Sequence, residues 1–388
     1  MTGAFSMPPI PLLLSAGEAS GDMYAARLAT ALRERIDVQI FGMGGPQMRA
    51  AGVEIVMDYS EVAVVGITEI LKHLPSLLRA MNRLVTEARE RKPVLAVLTD
   101  FPGFHLRLAR KLRPNGIKNV YYICPQFWAW RPWRVNLIRR RFAKALCIFP
   151  FEKDFFCQAG VPTEFIGHPL VGVVAPTKDR KQFCEQHGLT PSRALVTVLP
   201  GSRSAELLHH LPVLQEACAQ INGRVPAQFV VAAARPADVE ALKAGWPPGL
   251  CLRVVEGETY NALATADAAI VSSGTATVEA ALLNAPMVVV YRVSPATATL
   301  AKPLVRTPYF AMVNLIAEKK VVPELFQDDF TPRAVAEEAL RLLQDPNARN
   351  AQRAGLAEVR KRLGPPGAVE RAADQIVSLL RAGAGNAS

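Results

Sequence analysis

The sequence predicts an α/β protein built from two doubly wound parallel sheets, and three observations point there. Short apolar runs alternate with longer stretches of helical periodicity. The junctions from run to helix are rich in glycine and small polar residues. The same order restarts after Gly167-His168-Pro169. Strands separated by helices build parallel sheets with helices on both faces. The length of 388 residues suffices for two cores, and a chain that is 50% hydrophobic can fill them.

The first half opens with a strand at 11–15, running into the turn Ala16-Gly17-Glu18-Ala19-Ser20-Gly21-Asp22. A helix follows over 23–35, with Tyr24, Leu28, Leu32 and Ile36 near helical spacing. A strand at 38–43 closes on Gly42-Met43-Gly44-Gly45-Pro46, and another at 93–99 ends at Asp100. Further strands are expected at 119–123, 145–149 and 164–166. In the second half, a strand at 194–199 leads into Pro200-Gly201-Ser202-Arg203 and a helix reaching Ala219. Strands at 228–232, 252–255, 268–271 and 287–291 follow. From Thr331 the pattern is helical, broken at Asp345-Pro346-Asn347 and Gly364-Pro365-Pro366-Gly367, with a frayed tail at 381–388.

The resulting division is a domain at 1–168, a second at 169–345, and terminal helices at 346–388. Those helices either pack back on the first domain or exchange between partners. Facing strand ends would form a cleft, where ligands bind in such sheets.

Composition removes several classes. No run of 18 residues is free of charged or strongly polar groups, which argues against a transmembrane helix. The opening segment lacks a basic n-region and reads as a first strand rather than a signal peptide. Six cysteines are scattered without paired metal spacing, which fits reduced thiols of a cytoplasmic protein and no zinc. The net charge of +11 is uneven: residues 1–168 carry +8 and the remainder +3. An anionic partner for the first half is implied, whether nucleic acid, phosphorylated metabolite or membrane surface.

Candidate chemistry sits at the strand ends. The turn 17–22 combines glycines with Glu18, Ser20 and Asp22. Acids repel phosphate, so the turn suits either sugar-hydroxyl recognition or a helix cap by Ser20 with Asp22 in the first turn. Gly201, Ser202 and Arg203 at a helix start are residue types that hold a pyrophosphate, and Glu206 is spaced to orient Arg203. Ser273, Gly274 and Thr275 form a second such loop, with Glu279 one turn later able to take a ribose diol. Two such loops in one domain make a nucleotide-diphosphate site.

Asp100, at the end of an apolar strand, fits either a general base with raised pKa or a structural helix cap. His105 has a weaker case. Trp128, Trp130, Arg131, Trp133, Arg139, Arg140 and Arg141 interleave aromatic and basic groups with no acid. That pattern suits single-stranded nucleic acid or a lipid–water interface. Residues 62–85 read either as an in-plane membrane helix or as an amphipathic helix on the sheet.

Together, SAGEASGD (15–22), GMGGPQM (42–48), the Asp100 loop, YYICPQFWAWR (121–131), FPFE (149–152), FIGHPL (165–170), LPGSRSAEL (199–207), SSGTATVEA (272–280) and VNLIAEKKVVPELFQ (313–327) resemble the lipid-A-disaccharide synthase family, glycosyltransferases of the GT-B type. The resemblance covers the chain from Ser15 to about Gln327. It implies transfer from UDP-2,3-diacylglucosamine to 2,3-diacylglucosamine 1-phosphate (lipid X), giving a β(1→6) disaccharide 1-phosphate and UDP, with no cofactor or metal.

By motif, Asp100 is the base on the acceptor 6-hydroxyl, and Arg203 with the two loops stabilises the leaving diphosphate. Glu279 holds the ribose, while Glu18, Ser20, Asp22 and Asn314 face the sugars. The Trp-rich basic segment and residues 62–85 then meet acyl chains and an anionic membrane at the inner face of the inner membrane. A homodimer by helix exchange is implied, and no nucleic acid. Gly103, His105, Cys124 and Glu318-Lys319 depart from the family's usual Asp, Asn, Ser and Gly-Arg, which bears on acceptor and phosphate contacts. The rival readings are another UDP-sugar transferase or epimerase on the same scaffold, and a basic nucleic-acid-binding protein.

Overall fold

A computed structural model describes residues 8–61, 67–294 and 307–384. The chain divides into two compact units, one formed by 1–169 with 365–388 and the other by 170–364.

In the first unit, β1 (Ile10–Ala16), β2 (Val38–Gly44), β3 (Glu54–Asp58), β4 (Leu95–Thr99), β5 (Lys118–Tyr122), β6 (Lys144–Cys147) and β7 (Thr163–Phe165) form one sheet in the order β3-β2-β1-β4-β5-β6-β7. Every pairing is parallel. The central strands are continuous apolar runs such as LAVLT because helices cover both faces. The helices are α1 (Ala19–Arg33), α2 (Pro46–Ala50), α3 (Ile67–Arg91), α4 (Pro102–Leu112), α5 (Phe127–Trp130), α6 (Val135–Arg141) and α7 (Pro150–Gln158).

The final helix, Ala368–Ala384, packs on α1. It is tied down by Arg371 Nε donating to the Ile166 carbonyl at 2.8 Å, by Arg35 paired with Asp374 at 2.7 Å, and by Lys144 to Gln375.

The second unit carries α8 (Arg180–Gln186), β8 (Ala194–Leu199), α9 (Ser204–Asn222), β9 (Ala227–Ala233), α10 (Val239–Lys243), β10 (Cys251–Glu256), α11 (Thr259–Ala264), β11 (Ala268–Ser272), α12 (Thr275–Leu282), β12 (Met287–Tyr291) and β13 (Glu324–Phe326). Its parallel sheet runs β10-β9-β8-β11-β12-β13. Helices Met312–Ala317, Pro332–Gln344 and Pro346–Arg362 complete it.

The chain passes back to the first unit at 364/365, not at 345/346 as the sequence suggested. The helix Pro346–Arg362 packs on α12 and on both helices named with it. Buried Gln352 pairs with the Met287 backbone, accepting from its N–H at 2.5 Å and donating to its carbonyl at 3.1 Å.

β3 and β13 were not anticipated. Both are edge strands, of five and three residues, and neither has the apolar run of a doubly covered strand. From Ala80 onward, α3 commits its apolar face to the core through Ala80, Met81, Leu84, Val85 and Ala88. That part of 62–85 is therefore the ordinary amphipathic helix on a sheet. Residues 62–66 and the side chains of 67–74 lie outside the described residues, as do 385–388 of the expected frayed tail, whose helix continues to Ala384.

Candidate functional site

In each sheet the strand order reverses at one point: between β1 and β4 in the first unit, between β8 and β11 in the second. Ligands of doubly wound sheets bind outside the strand ends at that reversal. The loops after these four strands are 17–18, 100–101, 200–203 and 273–274.

In the first unit, Ala16 pairs with Thr99 at the strand ends, so Gly17 and Asp100 leave the sheet side by side. Gly17 N–H donates to Asp100 Oδ1 at 3.0 Å. Asp100 Oδ2 is buried and has no hydrogen-bond partner among the described residues. It lies against Gly21, where a built Cβ would come within 1.7 Å of it, so only glycine lets α1 approach this closely. Burial, followed by the negative charges of Glu18 and Asp22, raises the Asp100 pKa well above the usual carboxylate value, against the pull of backbone N–H groups.

Asp100 and Phe101 both have left-handed backbone, φ 55° and 41°, a conformation that costs non-glycine residues on the order of 1–3 kcal/mol each. The Asp100 carbonyl is held by two donors, Tyr121 Oη at 2.7 Å and His105 Nδ1 at 2.9 Å. Asp100 is not a cap for the next helix: α4 has Phe101 at its N-cap, with no side-chain cap bond.

Glu18 and Ser20 are exposed at the start of α1 and make no side-chain hydrogen bond among the described residues. Ser20 lies inside the helix, whose N-cap is Glu18, so it does not cap. Asp22, expected to face a sugar, is buried and holds backbone: Oδ1 accepts from Gly45 N at 2.7 Å and Met48 N at 3.1 Å, and Oδ2 from Gln47 N at 3.0 Å. It stabilises the first turn of α2 by satisfying N–H groups that have no intrahelical acceptor.

In the second unit, Val271 pairs with Leu199, bringing the loops after β8 and β11 together. Gly201 has φ +132°, which glycine adopts without strain. The Ser202 and Arg203 N–H groups are not free for phosphate. Glu206 Oε2 accepts both, at 2.9 and 3.3 Å, while Oε1 pairs with Arg203 Nη1 at 2.8 Å. The Arg203 side chain is 63% exposed and that of Glu206 only 8%. The α12 start differs: Thr275 and Ala276 carry first-turn N–H groups with no intrahelical acceptor, beside Gly274 at φ +144°. Ser273 Oγ donates to the Phe310 carbonyl at 3.2 Å. Glu279 accepts from Tyr260 Oη at 3.2 Å, and burial raises its pKa.

His210, unremarked in the sequence, is buried in this unit. Its Nδ1 lies 2.7 Å from the Pro200 carbonyl, and its Nε2 accepts from Arg292 N at 2.9 Å. Asn314 was also expected to face a sugar. Fully buried, it donates to the Val322 carbonyl and to Glu324 Oε1 and accepts from the N–H groups of Val321 and Val322. No bonding capacity remains for a sugar.

The tryptophan-rich segment does not present one face. Trp128 Nε1 donates to Glu152 at 3.1 Å, and its ring meets Phe151 edge-on, so this residue anchors inward. Burial pushes the Glu152 carboxyl up to about 8. Trp133 is 60% exposed, with Arg134 over its ring. Arg131 is half-buried, Arg139 and Arg140 are exposed, and Arg141 donates to the Leu106 carbonyl at 2.8 Å. The Trp130 side chain lies outside the described residues. Between α3, α4 and α6 runs a groove of about 890 Å³, lined by Arg89, Arg107, Arg110, Lys111, Arg134 and Arg141, with no carboxylate among the described residues. Desolvation and the neighbouring cations lower the pKa of Arg134 and Arg141.

Two parallel sheets, each with loops gathered at its reversal point, define the GT-B architecture of glycosyltransferases. Solved structures bear this out at the level of fold. Acinetobacter baumannii MurG is 17% identical with a TM-score of 0.57, matching 96% of this chain and 100% of its own. UDP-GlcNAc 2-epimerase from Neisseria meningitidis is 10% identical with a TM-score of 0.64, covering 95% and 100%.

The family model for lipid-A-disaccharide synthetase matches residues 12–376. Lipid-A-disaccharide synthase of Solibacter usitatus is 46% identical over 96% of this chain and 98% of its own, and that of Myxococcus xanthus 42% identical over 97% and 99%. The chain belongs to the lipid-A-disaccharide synthase family.

Proposed function

We propose that the enzyme transfers 2,3-diacylglucosamine from its UDP ester to the 6-hydroxyl of lipid X with inversion. The observation that carries this reading is Asp100: a carboxylate at the reversal point of the first sheet, with an unpartnered oxygen and a raised pKa. In its ionised form Asp100 removes the hydroxyl proton as that oxygen attacks the anomeric carbon. The bond to the UDP oxygen breaks, and Asp100 returns its proton to water. The first unit thus serves the acceptor, with Glu18 and Ser20 available to sugar hydroxyls.

The second unit serves the donor. Arg203 and the open α12 N-terminus offset the charge growing on the diphosphate, and Glu279 takes the ribose. For the Ser202 and Arg203 N–H groups to join them, the Glu206 carboxylate has to give them up.

The enzyme acts at the inner face of the inner membrane, held peripherally through the basic groove and Trp133. No helix among the described residues is long and apolar enough to cross a membrane. A homodimer formed by exchange of the final helix requires the Arg371–Ile166 and Lys144–Gln375 bonds to be remade between partners.

The test is UDP release from UDP-2,3-diacylglucosamine with and without lipid X, for wild type and Asp100→Asn. Acceptor-dependent release that the variant loses supports the reading. Acceptor-independent release favours an epimerase-like activity instead.

A further inference from the structure

His105 lies wholly within the core of the first unit, yet both ring nitrogens are used. Nδ1 is 2.9 Å from the Asp100 carbonyl and Nε2 is 2.8 Å from Ser15 Oγ. A carbonyl only accepts, so Nδ1 carries the proton, and Nε2 is left to accept from the Ser15 hydroxyl. Burial pushes the ring's pKa down to about 4, so the ring is neutral and this tautomer is the one that serves both bonds.

Ser15 sits in β1, Asp100 follows β4, and His105 is in α4, so one ring joins three elements around the sheet's reversal point. Phe101 and Phe104 close on it edge-on, at 6.1 and 5.6 Å between ring centroids. What the ring fixes is an uncomfortable piece of backbone: two consecutive non-glycine residues with positive φ, Asp100 and Phe101. Unrestrained, such a junction relaxes toward negative φ and swings the Asp100 side chain with it. Tyr121 supplies one tether to that carbonyl and His105 the other.

We propose that His105 is a positioning residue for the Asp100 carboxylate, acting through its Nδ1–H bond to the Asp100 carbonyl, with Ser15 holding the ring in the tautomer that makes this bond. The proposal rests on Asp100 being the base. His105 touches no substrate. Its contribution is to keep Oδ1 on the Gly17 N–H and Oδ2 free, because misplacing a reacting group by about 1 Å costs on the order of 100-fold in rate.

Two substitutions separate the bonds. His105→Asn places an amide N–H where Nδ1 was and keeps the carbonyl tether. His105→Gln places a polar group near Nε2, keeping the Ser15 contact and losing the tether. The expected result is that His105→Gln lowers kcat by about 10- to 100-fold with KM for the UDP-sugar within about twofold, and shifts the acid limb of the kcat–pH profile. His105→Asn stays within about fivefold of wild type with an unshifted limb. Ser15→Ala falls between them.

Equal losses in the Asn and Gln variants that follow their Tm values would overturn the proposal, because a merely core-filling ring makes no distinction between the two bonds. Normal kcat in His105→Gln beside an inactive Asp100→Asn overturns positioning alone. Normal turnover in Asp100→Asn overturns the base reading and this proposal with it.

Discussion

Asp22 Oδ1 accepts the N–H of Gly45 at 2.7 Å, joining two glycine-rich turns that stand 23 positions apart in the chain. This bond and those to Gln47 and Met48 make the SAGEASGD and GMGGPQM motifs one structural unit. Replacing Asp22 with Ala leaves three first-turn N–H groups without their acceptor, at a cost of about 2–4 kcal/mol. Urea denaturation is expected to show that loss, and Asp22→Asn a smaller one. A variant of unchanged stability with a raised KM for either sugar would make Asp22 a substrate contact instead.

Arg203 and Glu206 make opposite predictions for UDP. Arg203→Ala removes a charge-assisted partner of the diphosphate, and UDP affinity measured by calorimetry should fall about 10- to 100-fold. Glu206→Gln removes the carboxylate that occupies the Ser202 and Arg203 N–H groups, and UDP should bind several-fold more tightly. Weaker UDP binding by Glu206→Gln would show that its main role is to aim Arg203.

Two buried groups give stability a pH dependence of opposite sign. Glu152, held near 8, keeps its proton in the folded state while the unfolded chain loses it above about 4.5. Stability from this group is full below that value and declines as pH rises to 8, by on the order of 5 kcal/mol. His105, held near 4, refuses a proton that the unfolded chain takes below about 6.5. Its part is full above 6.5 and declines as pH falls to 4, by roughly 3 kcal/mol. Unfolding free energies from pH 4 to 9 should show Glu152→Gln flattening the upper slope and His105→Asn the lower. Slopes identical to wild type would refute both assignments.

The groove between α3 and α4 is expected to bind anionic bilayers through its own cations, not through net charge. Arg107→Glu with Arg110→Glu should abolish co-sedimentation with phosphatidylglycerol vesicles. Lys181→Glu with Lys243→Glu, at exposed sites of the second unit, makes the same change in net charge and should lose little. Equal losses would assign binding to overall charge, and loss in neither pair would point to apolar contact alone.

Asp100 was legible because a carboxylate ending an apolar strand is a local pattern. The strand–turn–helix order was legible for the same reason, since doubly covered strands are continuous apolar runs. What escaped depends on distance along the chain. Nothing near Asp22 announces that its acceptors' partners lie beyond β2, and nothing near Asn314 shows that Val321, Val322 and Glu324 exhaust its amide. His210 carries no motif, and its value lies in reaching Pro200 and Arg292 at once. Glu206 was correctly expected to orient Arg203, but not to fill the N–H groups beside it. Family resemblance supplied sugar-facing roles for Asp22 and Asn314, and the geometry adds that both side chains hold nearby backbone.

The placement of the final helix has a consequence for the order in which the molecule can be made. Chains emerging from the ribosome tend to fold domain by domain from the N-terminal side. Here β1 to β7 emerge early, yet the helix that packs on α1 and binds the Ile166 carbonyl comes only after the whole second unit. The second unit can therefore finish folding while the first still waits with α1 uncovered. During that interval the apolar surface meant for residues 368–384 is open to chaperones, to the bilayer or to another nascent chain.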